Sequence, residues 1–507
     1  MSNIYQGYNT DTTYTYGYYL ALNPSQIIMP FLASGIAPPE VINACELGFG
    51  QGVTINMNAV NTQTHWYGTD FNPSHAAFAQ HLNQISGAGS VLSDQGFDEF
   101  CQRDDLPEFD FIALHGIWSW ISDHNRQVII DFVRRKLKIG GVLYISYNTL
   151  PGWSAAAPIR HLMAEHHRVM SATGTNHFAN LDKTLNDIEQ IFEKSPRLLN
   201  NNPNISARLK DLKEQNKSYI IHEYLNQNWY PQYFSEIEQM LHDAKVSYAC
   251  SANYLNDFAE TTLNNDQKQI LATISNPSFA QTVKDFFLNT QFRADYWVKG
   301  KRELNSVELK KYWYDLRVML KNRDQVKLEA SHVLSTELVA DIFNPILDLL
   351  ADNKPKAVAQ IAEKLTAISD EILFQILTIL HAKGDLVLVL PDEQIEQNKT
   401  RTQALNRYLL SQAHSNPEVL YLASPVTGTA FSYNHPQLLF LSAYLAGENP
   451  KNWGKYAVKA LEANNLLLKK DGEILQDPKD NLAEARRQAE EFLANGLEMA
   501  KRLGIVE

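Results

Sequence analysis

The most constraining feature of the chain is the run Glu46-Leu47-Gly48-Phe49-Gly50-Gln51-Gly52, which follows a short apolar stretch and leads at once into an amphipathic segment. Glycines at such a point let the backbone turn sharply from strand to helix and come close to a ligand. A chain built this way is expected to open a parallel α/β sheet with crossover helices. The spacing is G-x-G-x-G, not the G-x-G-x-x-G of a dinucleotide site, because Val53 stands where the last glycine would be.

Downstream, apolar runs alternate with longer amphipathic segments. The pattern predicts strands at Val41 to Leu47, Trp66 to Asp70, Ser90 to Ser93, Phe109 to Leu114 and Val142 to Ser146. A helix over Arg126 to Leu137 is expected to stop at Gly140-Gly141. Asp70 lies eighteen residues after Gly52, at the end of the second strand, where a carboxylate can accept hydrogen bonds from both hydroxyls of a ribose. Asp94 ends the third strand and suits an adenine amino group, with Phe71 and Gln95 as neighbours of the same pocket.

The fold class read from these elements is α/β: a Rossmann-like domain at 41–165, preceded by a tyrosine-rich arm or lid at 1–40. A mostly helical region follows at 166–340, where a dimerisation element is one expectation, with breaks at Ser171 to Asn176 and Asn200 to Asn204. The domain at 341–507 holds helix-like segments at Lys356 to Leu365 and Asp370 to Ala382 and a strand at Asp385 to Leu390, an order that suggests a winged-helix-like module. A last helix is expected over Leu482 to Leu503.

The 507 residues correspond to roughly three domains. A net charge of −12, and no basic face on the second of the two helices at 356–382, disfavour a nucleic-acid partner. Three separated cysteines exclude a disulfide framework and a cysteine-ligated zinc site, so no metal is expected. The N-terminal residues lack the basic and apolar regions of a signal peptide, and no apolar run is long enough to span a bilayer. A cytoplasmic protein is the expectation.

With Glu46 to Gly52 and Asp70 in place, the chain resembles the class I S-adenosylmethionine-dependent methyltransferases. That resemblance implies S-adenosylmethionine as cofactor, S-adenosylhomocysteine as product, and Glu46 as a support for the turn or for the methionine ammonium. Phe49 departs from the small residue or cysteine usual in the family. Three further stretches resemble the bacterial methyltransferases that carry a methyltransferase regulatory domain, a group that includes rickettsial protein-lysine methyltransferases. They are His115-Gly116-Ile117-Trp118-Ser119-Trp120, Tyr147-Asn148-Thr149-Leu150-Pro151-Gly152-Trp153, and His222-Glu223-Tyr224-Leu225-Asn226 with Trp229 and Pro231. Phe287 to Arg293 looks like that group's regulatory-domain signature.

The first two stretches follow the fourth and fifth strands, at the carboxyl edge where open α/β sheets bind ligands. The expected transfer residues are His115, Tyr147 and Tyr224, orienting a neutral amine, with His115 also reaching the cofactor. Tyr16 and Tyr18 belong to the arm expected to close over it. The resemblance implies a lysine of a protein substrate as acceptor. A small-molecule acceptor, a homodimer and a non-catalytic cofactor-binding scaffold all stay open.

Overall fold

In a computed structural model the described residues are 4–5, 8–9, 16–170, 177–215, 217–226, 228–257, 262–327, 336–418 and 420–507. Tyr14, the expected break at 171–176, and the side chains of Tyr5, Tyr8 and His222 lie outside that description. Two compact units divide the chain. A loop unit takes residues 15–96, 109–112 and 301–507, and an edge unit takes 97–108 and 113–300 together with the N-terminal residues.

In the loop unit, β1 (Asn43–Leu47), β2 (His65–Thr69) and β3 (Val91–Ser93) run parallel. The crossovers between them are α1 (Val53–Asn61) and α2 (Pro73–Ser86). The next strand, β4 (Phe109–Leu114), is divided between the units and is buried along its whole length. In the edge unit, α3 (Asp123–Lys136) leads into β5 (Leu137–Asn148), and β6 (Ser247–Ser251) and β7 (Phe292–Val298) complete the sheet. The strand order is β3-β2-β1-β4-β5-β7-β6, with β7 antiparallel to both of its neighbours.

This is the expected α/β fold, with two differences. Gly140 and Gly141 do not end a helix: α3 stops at Lys136, and β5 passes through both glycines. Gly140, at φ +82°, takes the left-handed conformation, and its N–H reaches the carbonyl of Lys299 at 2.6 Å. The second difference is that the middle region, read as helical, supplies β6 and β7. β7 alternates Arg293 and Asp295 among apolar residues, and both charges are buried. Their mutual pairing, not hydrophobic alternation, is what makes that strand possible.

The arm is not extended throughout. Leu20–Leu22 and Pro24–Ile27 form short 3-10 turns, the second started by the Asn23 side chain, and Ile28–Ala33 is helical. Farther along the loop unit, Arg317–Leu320 pairs antiparallel with Lys356–Ala357 on one side and Leu386–Leu388 on the other. The helices Ser306–Asp315, Val358–Lys364 and Asp370–Ala382 accompany that small sheet. Next come α4 (Asp392–Gln412) and the hairpin of β8 (Tyr421–Ser424) with β9 (Thr429–Ser432). The last helix is interrupted: Pro478–Glu491 passes through a π-turn at Phe492–Gly496 before Leu497–Arg502.

Candidate cofactor and transfer sites

β1 ends in Leu47, and the loop after it holds Gly48, Gly50 and Gly52 at φ +75°, +57° and +69°. Each is a conformation that a side chain resists. Gly52 meets a second demand, because a Cβ built there would lie 2.3 Å from the Cβ of Ala79 on α2. Asn56 fixes that close approach by donating from Nδ2 to the carbonyls of Gly52 (2.8 Å) and Ala79 (3.0 Å). Gly52→Ala is expected to cost about 3 kcal/mol, from left-handed strain and overpacking together. In an Ala79→Gly background the strain remains with only a tight 3.2 Å approach to the Cα of residue 79, and the cost should fall to about 1–2 kcal/mol. Denaturant midpoints of the four proteins check this; an equal cost in both backgrounds would contradict the proposed overlap.

The rest of the loop hangs on the end of β2. The amides of Gly48 and Phe49 donate to the Thr69 carbonyl at 2.8 and 3.3 Å. Gly50 N–H donates to Asp70 Oδ2 at 2.9 Å, while Asp70 Oδ1 accepts from the Asn72 amide at 3.0 Å and lies 3.2 Å from His75 Nδ1. A carboxylate offers about four acceptor sites, so three are engaged and one remains for a hydroxyl. Asp70 therefore shapes the loop, and His75 joins the candidate site without having been singled out in the sequence. Its one sequence signal is the segment Asn72-Pro73-Ser74-His75, a capped helix start that places the imidazole one turn in.

Glu46 is buried, its Oε2 has no hydrogen-bond partner, and burial, with Asp70 adding repulsion, pushes its pKa up to about 8. A buried carboxyl with one oxygen unpartnered, beside a glycine turn, is suited to a cationic group. Phe49 is buried over Gly68, whose missing side chain makes the room: a Cβ there would meet Phe49 Cδ1 at 3.0 Å. Asp94 is exposed, Phe71 is half-buried, and the Gln95 carbonyl accepts from the Thr69 hydroxyl at 2.5 Å. Tyr16 packs its ring edge-on against Phe78. Tyr18 is buried with its hydroxyl donating to Asn58 Oδ1 at 3.2 Å, which commits its phenol to the interior and not to a ligand.

In the edge unit the stretches singled out in the sequence converge. His115 follows β4, with Nδ1 2.8 Å from the Tyr144 hydroxyl and 3.3 Å from Ser146 Oγ, and its ring stacks on Tyr144. Desolvation lowers its pKa to about 4, so the ring is neutral at pH 7. Ser119 ties the next segments together: its Oγ accepts from Asn148 N–H at 2.9 Å and its carbonyl accepts from Tyr230 N–H at 2.8 Å. Gln232 N–H donates to the Asn148 carbonyl, and Trp118 Nε1 to Gln232 Oε1, both at 2.9 Å. The turn at Leu150–Trp153 is clasped from Phe287 to Arg293, since Thr149 and Gly152 donate to the carbonyls of Gln291 and Thr290. A Cβ on Gly152 would lie 2.5 Å from the Gln291 backbone.

Tyr147 and Tyr224 are not placed as expected. Tyr147 is fully buried and donates to Asp295 Oδ2 at 2.8 Å. Asp295 in turn holds Arg293 Nε at 2.8 Å, and Arg293 reaches Asp285 Oδ1 at 2.9 Å. Burial and the Asp295 charge keep the phenol protonated well above its ordinary pKa. Tyr147 is thus a strut of a buried ion network. Tyr224, on the helix Lys217–Tyr224, is fully buried with its ring 6.0 Å from that of Trp153. Beside it, Arg160 lies over the Trp229 ring at 4.7 Å and donates to the carbonyls of Glu223 and Asn226. Burial pushes the Glu223 carboxyl up to about 7, against the pull of Arg160. Both tyrosines gave a polar signal in sequence; their burial comes from partners far along the chain.

Comparison with known proteins decides the family. The uncharacterized protein sll1526 of Synechocystis is 34% identical over 99% of both chains. Residues 216–299 match the family described as "predicted methyltransferase regulatory domain". The chain belongs to one family with sll1526 and carries the predicted methyltransferase regulatory domain. In this chain the matched region contains β6, β7, Asp285, Arg293 and Asp295. The uncharacterized protein RP789 of Rickettsia prowazekii is 26% identical over 58% of this chain and 54% of its own. The fold is also that of PKMT2 from Rickettsia typhi, solved in complex with AdoHcy, at 18% identity and a TM-score of 0.66 over 97% of this chain and 99% of that chain. Among the described residues no helix is long and apolar enough to cross a membrane, and no three His, Cys, Asp or Glu side chains are grouped to hold a metal.

Proposed function

We propose that this methyltransferase transfers a methyl group from S-adenosylmethionine to a nitrogen nucleophile, with a protein lysine as the acceptor. The observation that carries the cofactor assignment is the buried Glu46 carboxyl, its Oε2 without a partner, beside a glycine loop held by Asp70. Those residues fit the cofactor. Glu46 suits the methionine ammonium, the remaining acceptor position of Asp70 a ribose hydroxyl, and the loop of Asp94 and Gln95 the adenine. When bound, the cofactor supplies an electrophilic methyl group on a sulfonium.

The chain's own contribution is positioning and the presentation of a neutral amine. A lysine ammonium is unreactive until it loses a proton, and a desolvated surrounding favours that loss. Neutral His115, with Nδ1 facing two hydroxyls, is the group in the edge unit equipped to orient such an amine. The likeness to rickettsial PKMT2 supports a protein acceptor. The chain acts in the cytoplasm in this reading.

Incubation of cell extract with the enzyme and methyl-labelled S-adenosylmethionine, followed by acid hydrolysis of the protein fraction, is expected to yield labelled methyllysine. Label confined to small molecules would overturn the protein acceptor, and label on protein carboxyl or hydroxyl oxygen would overturn the nitrogen acceptor. Absence of label in every fraction would favour a cofactor-binding scaffold.

A further inference from the structure

Helix α1, which the glycine loop enters, is buried at all nine residues, including Thr54, Asn56, Asn58 and Asn61. A crossover helix ordinarily leaves one face to solvent, and polar residues mark that face. Here each polar side chain is met inside the loop unit. Thr54 Oγ1 accepts from the Tyr19 amide at 3.1 Å. Asn58 Oδ1 accepts from Asn23 Nδ2 at 2.8 Å and from the Tyr18 hydroxyl, while Asn58 Nδ2 donates to the Leu22 carbonyl. Asn23 Nδ2 also donates to the carbonyl of Gly428 in the β8–β9 hairpin at 2.6 Å.

The carboxyl end of α1 has carbonyls with no partner within the helix. The region beyond residue 392 supplies their donors. Asn398 Nδ2 donates to the Asn61 carbonyl at 2.6 Å and an Arg401 nitrogen to that of Thr62 at 3.2 Å, while the Thr402 hydroxyl, 2.9 Å from the Asn398 carbonyl of its own helix, also lies 3.3 Å from the Val60 carbonyl and from Asn61 Oδ1. In return, Asn61 Nδ2 donates to the Thr429 carbonyl at 2.8 Å, and Gln63 Nε2 to Asn398 Oδ1 at 2.7 Å. Helix α4 and the β8–β9 hairpin therefore grip one end of α1, and Gly52 with its tie to Ala79 is the other end.

We infer that residues 392–432 are a positioning element for the cofactor loop, with Asn61, Asn398 and Thr402 as the residues through which they set cofactor affinity. A rigid helix nine residues long transmits a shift at Val60 and Asn61 to Gly52, because its side chains are packed on every face and Asn56 locks its first turn to α2. The inference rests on the reading of the Glu46–Gly52 loop as the S-adenosylmethionine site. It assigns the C-terminal region a part in cofactor binding that the glycine-loop motif does not contain.

The test is calorimetric titration of the full chain with S-adenosylhomocysteine, on wild type, Asn398→Ala, Thr402→Val and Thr402→Ser, with amide hydrogen exchange over residues 48–56 measured on each. The expected result is a Kd raised about tenfold in Asn398→Ala and about fivefold in Thr402→Val, and unchanged within twofold in Thr402→Ser, which keeps the hydroxyl. Exchange over 48–56 should quicken in the first two variants alone. Melting points that fall while Kd and exchange stay at wild-type values would overturn the inference and leave only a structural role. A wild type that binds no S-adenosylhomocysteine would overturn the underlying site assignment instead. Thr402→Val is close to isosteric, so it keeps the test decisive if Asn398→Ala fails to fold.

Discussion

Arg293→Leu is expected to lower stability by about 3–5 kcal/mol, the cost of stranding buried carboxylates by removing their cation. Arg293 binds Asp295 through two nitrogens, at 2.8 and 3.1 Å, and Asp285 at 2.9 Å, and its guanidinium lies 4.6 Å from the centre of the Phe234 ring. Asp295 is completely buried and Asp285 nearly so. Without Arg293 both carboxyls would titrate upward, so the folded variant would bind more protons than the unfolded one. Its deficit relative to wild type must therefore narrow as pH falls toward 4. Urea unfolding at pH 7.5 and pH 5 measures both effects. A loss below about 1 kcal/mol at pH 7.5, or a gap that widens in acid, would show that the network does not hold the β5–β7 pair together.

Asp70→Ala has the second large effect. The substitution removes the acceptor of Gly50 N–H, Asn72 N–H and the His75 ring together. Hydrogen bonds to a charged acceptor contribute about 1.5–3 kcal/mol each, so the loop loses its main anchor and a ligand loses its ribose partner. Cofactor affinity should fall at least about a hundredfold, close to 2.7 kcal/mol. Asp70→Asn keeps an oxygen acceptor and should fall between. Equilibrium dialysis with labelled cofactor checks the order wild type, Asn, Ala. Affinity in Asp70→Ala within threefold of wild type would remove Asp70 from the site.

The parts of the fold legible in the sequence are those where local pattern and burial agree. β4 runs from Phe109 to Leu114 and the helix of the C-terminal region from Asp370 to Ala382, both as expected from the sequence alone. What escaped notice is written in long-range pairs. Arg293 and Asp295 break the apolar pattern of β7, and only Tyr147, almost 150 positions earlier, and Asp285 make that strand a buried one. The Asn and Thr residues of α1 look like a solvent face until Asn23, Asn398 and Thr429 cover them. Gly140-Gly141 reads as a helix stop because glycines break helices, yet here the left-handed Gly140 sits within a long strand.

The site shows the same division. The glycine loop, Glu46 and Asp70 were visible because their spacing is local. His75 and the Gly68 that makes room for Phe49 were not, since each matters only through a neighbour on another element. Tyr147 stood out as a polar aromatic near the carboxyl edge and Tyr224 through the family resemblance alone; both are interior supports, which leaves His115 as the transfer candidate.

The central claim is that Glu46 and the glycine loop receive the charged methionine end of S-adenosylmethionine, and proton linkage tests it most directly. With its pKa raised to about 8, the Glu46 carboxyl is mostly protonated at pH 7 in the free protein, and pairing with an ammonium requires it to ionise. Binding should then release close to one proton at pH 7 and strengthen as pH rises toward 8; in Glu46→Gln, binding is weak and this release is absent. Calorimetric titration of wild type and Glu46→Gln with S-adenosylmethionine, in two buffers of different ionisation enthalpy, reads the proton count directly. Tight 1:1 binding with that release supports the account, and binding by Glu46→Gln as tight as wild type, with no proton released by either, would contradict it.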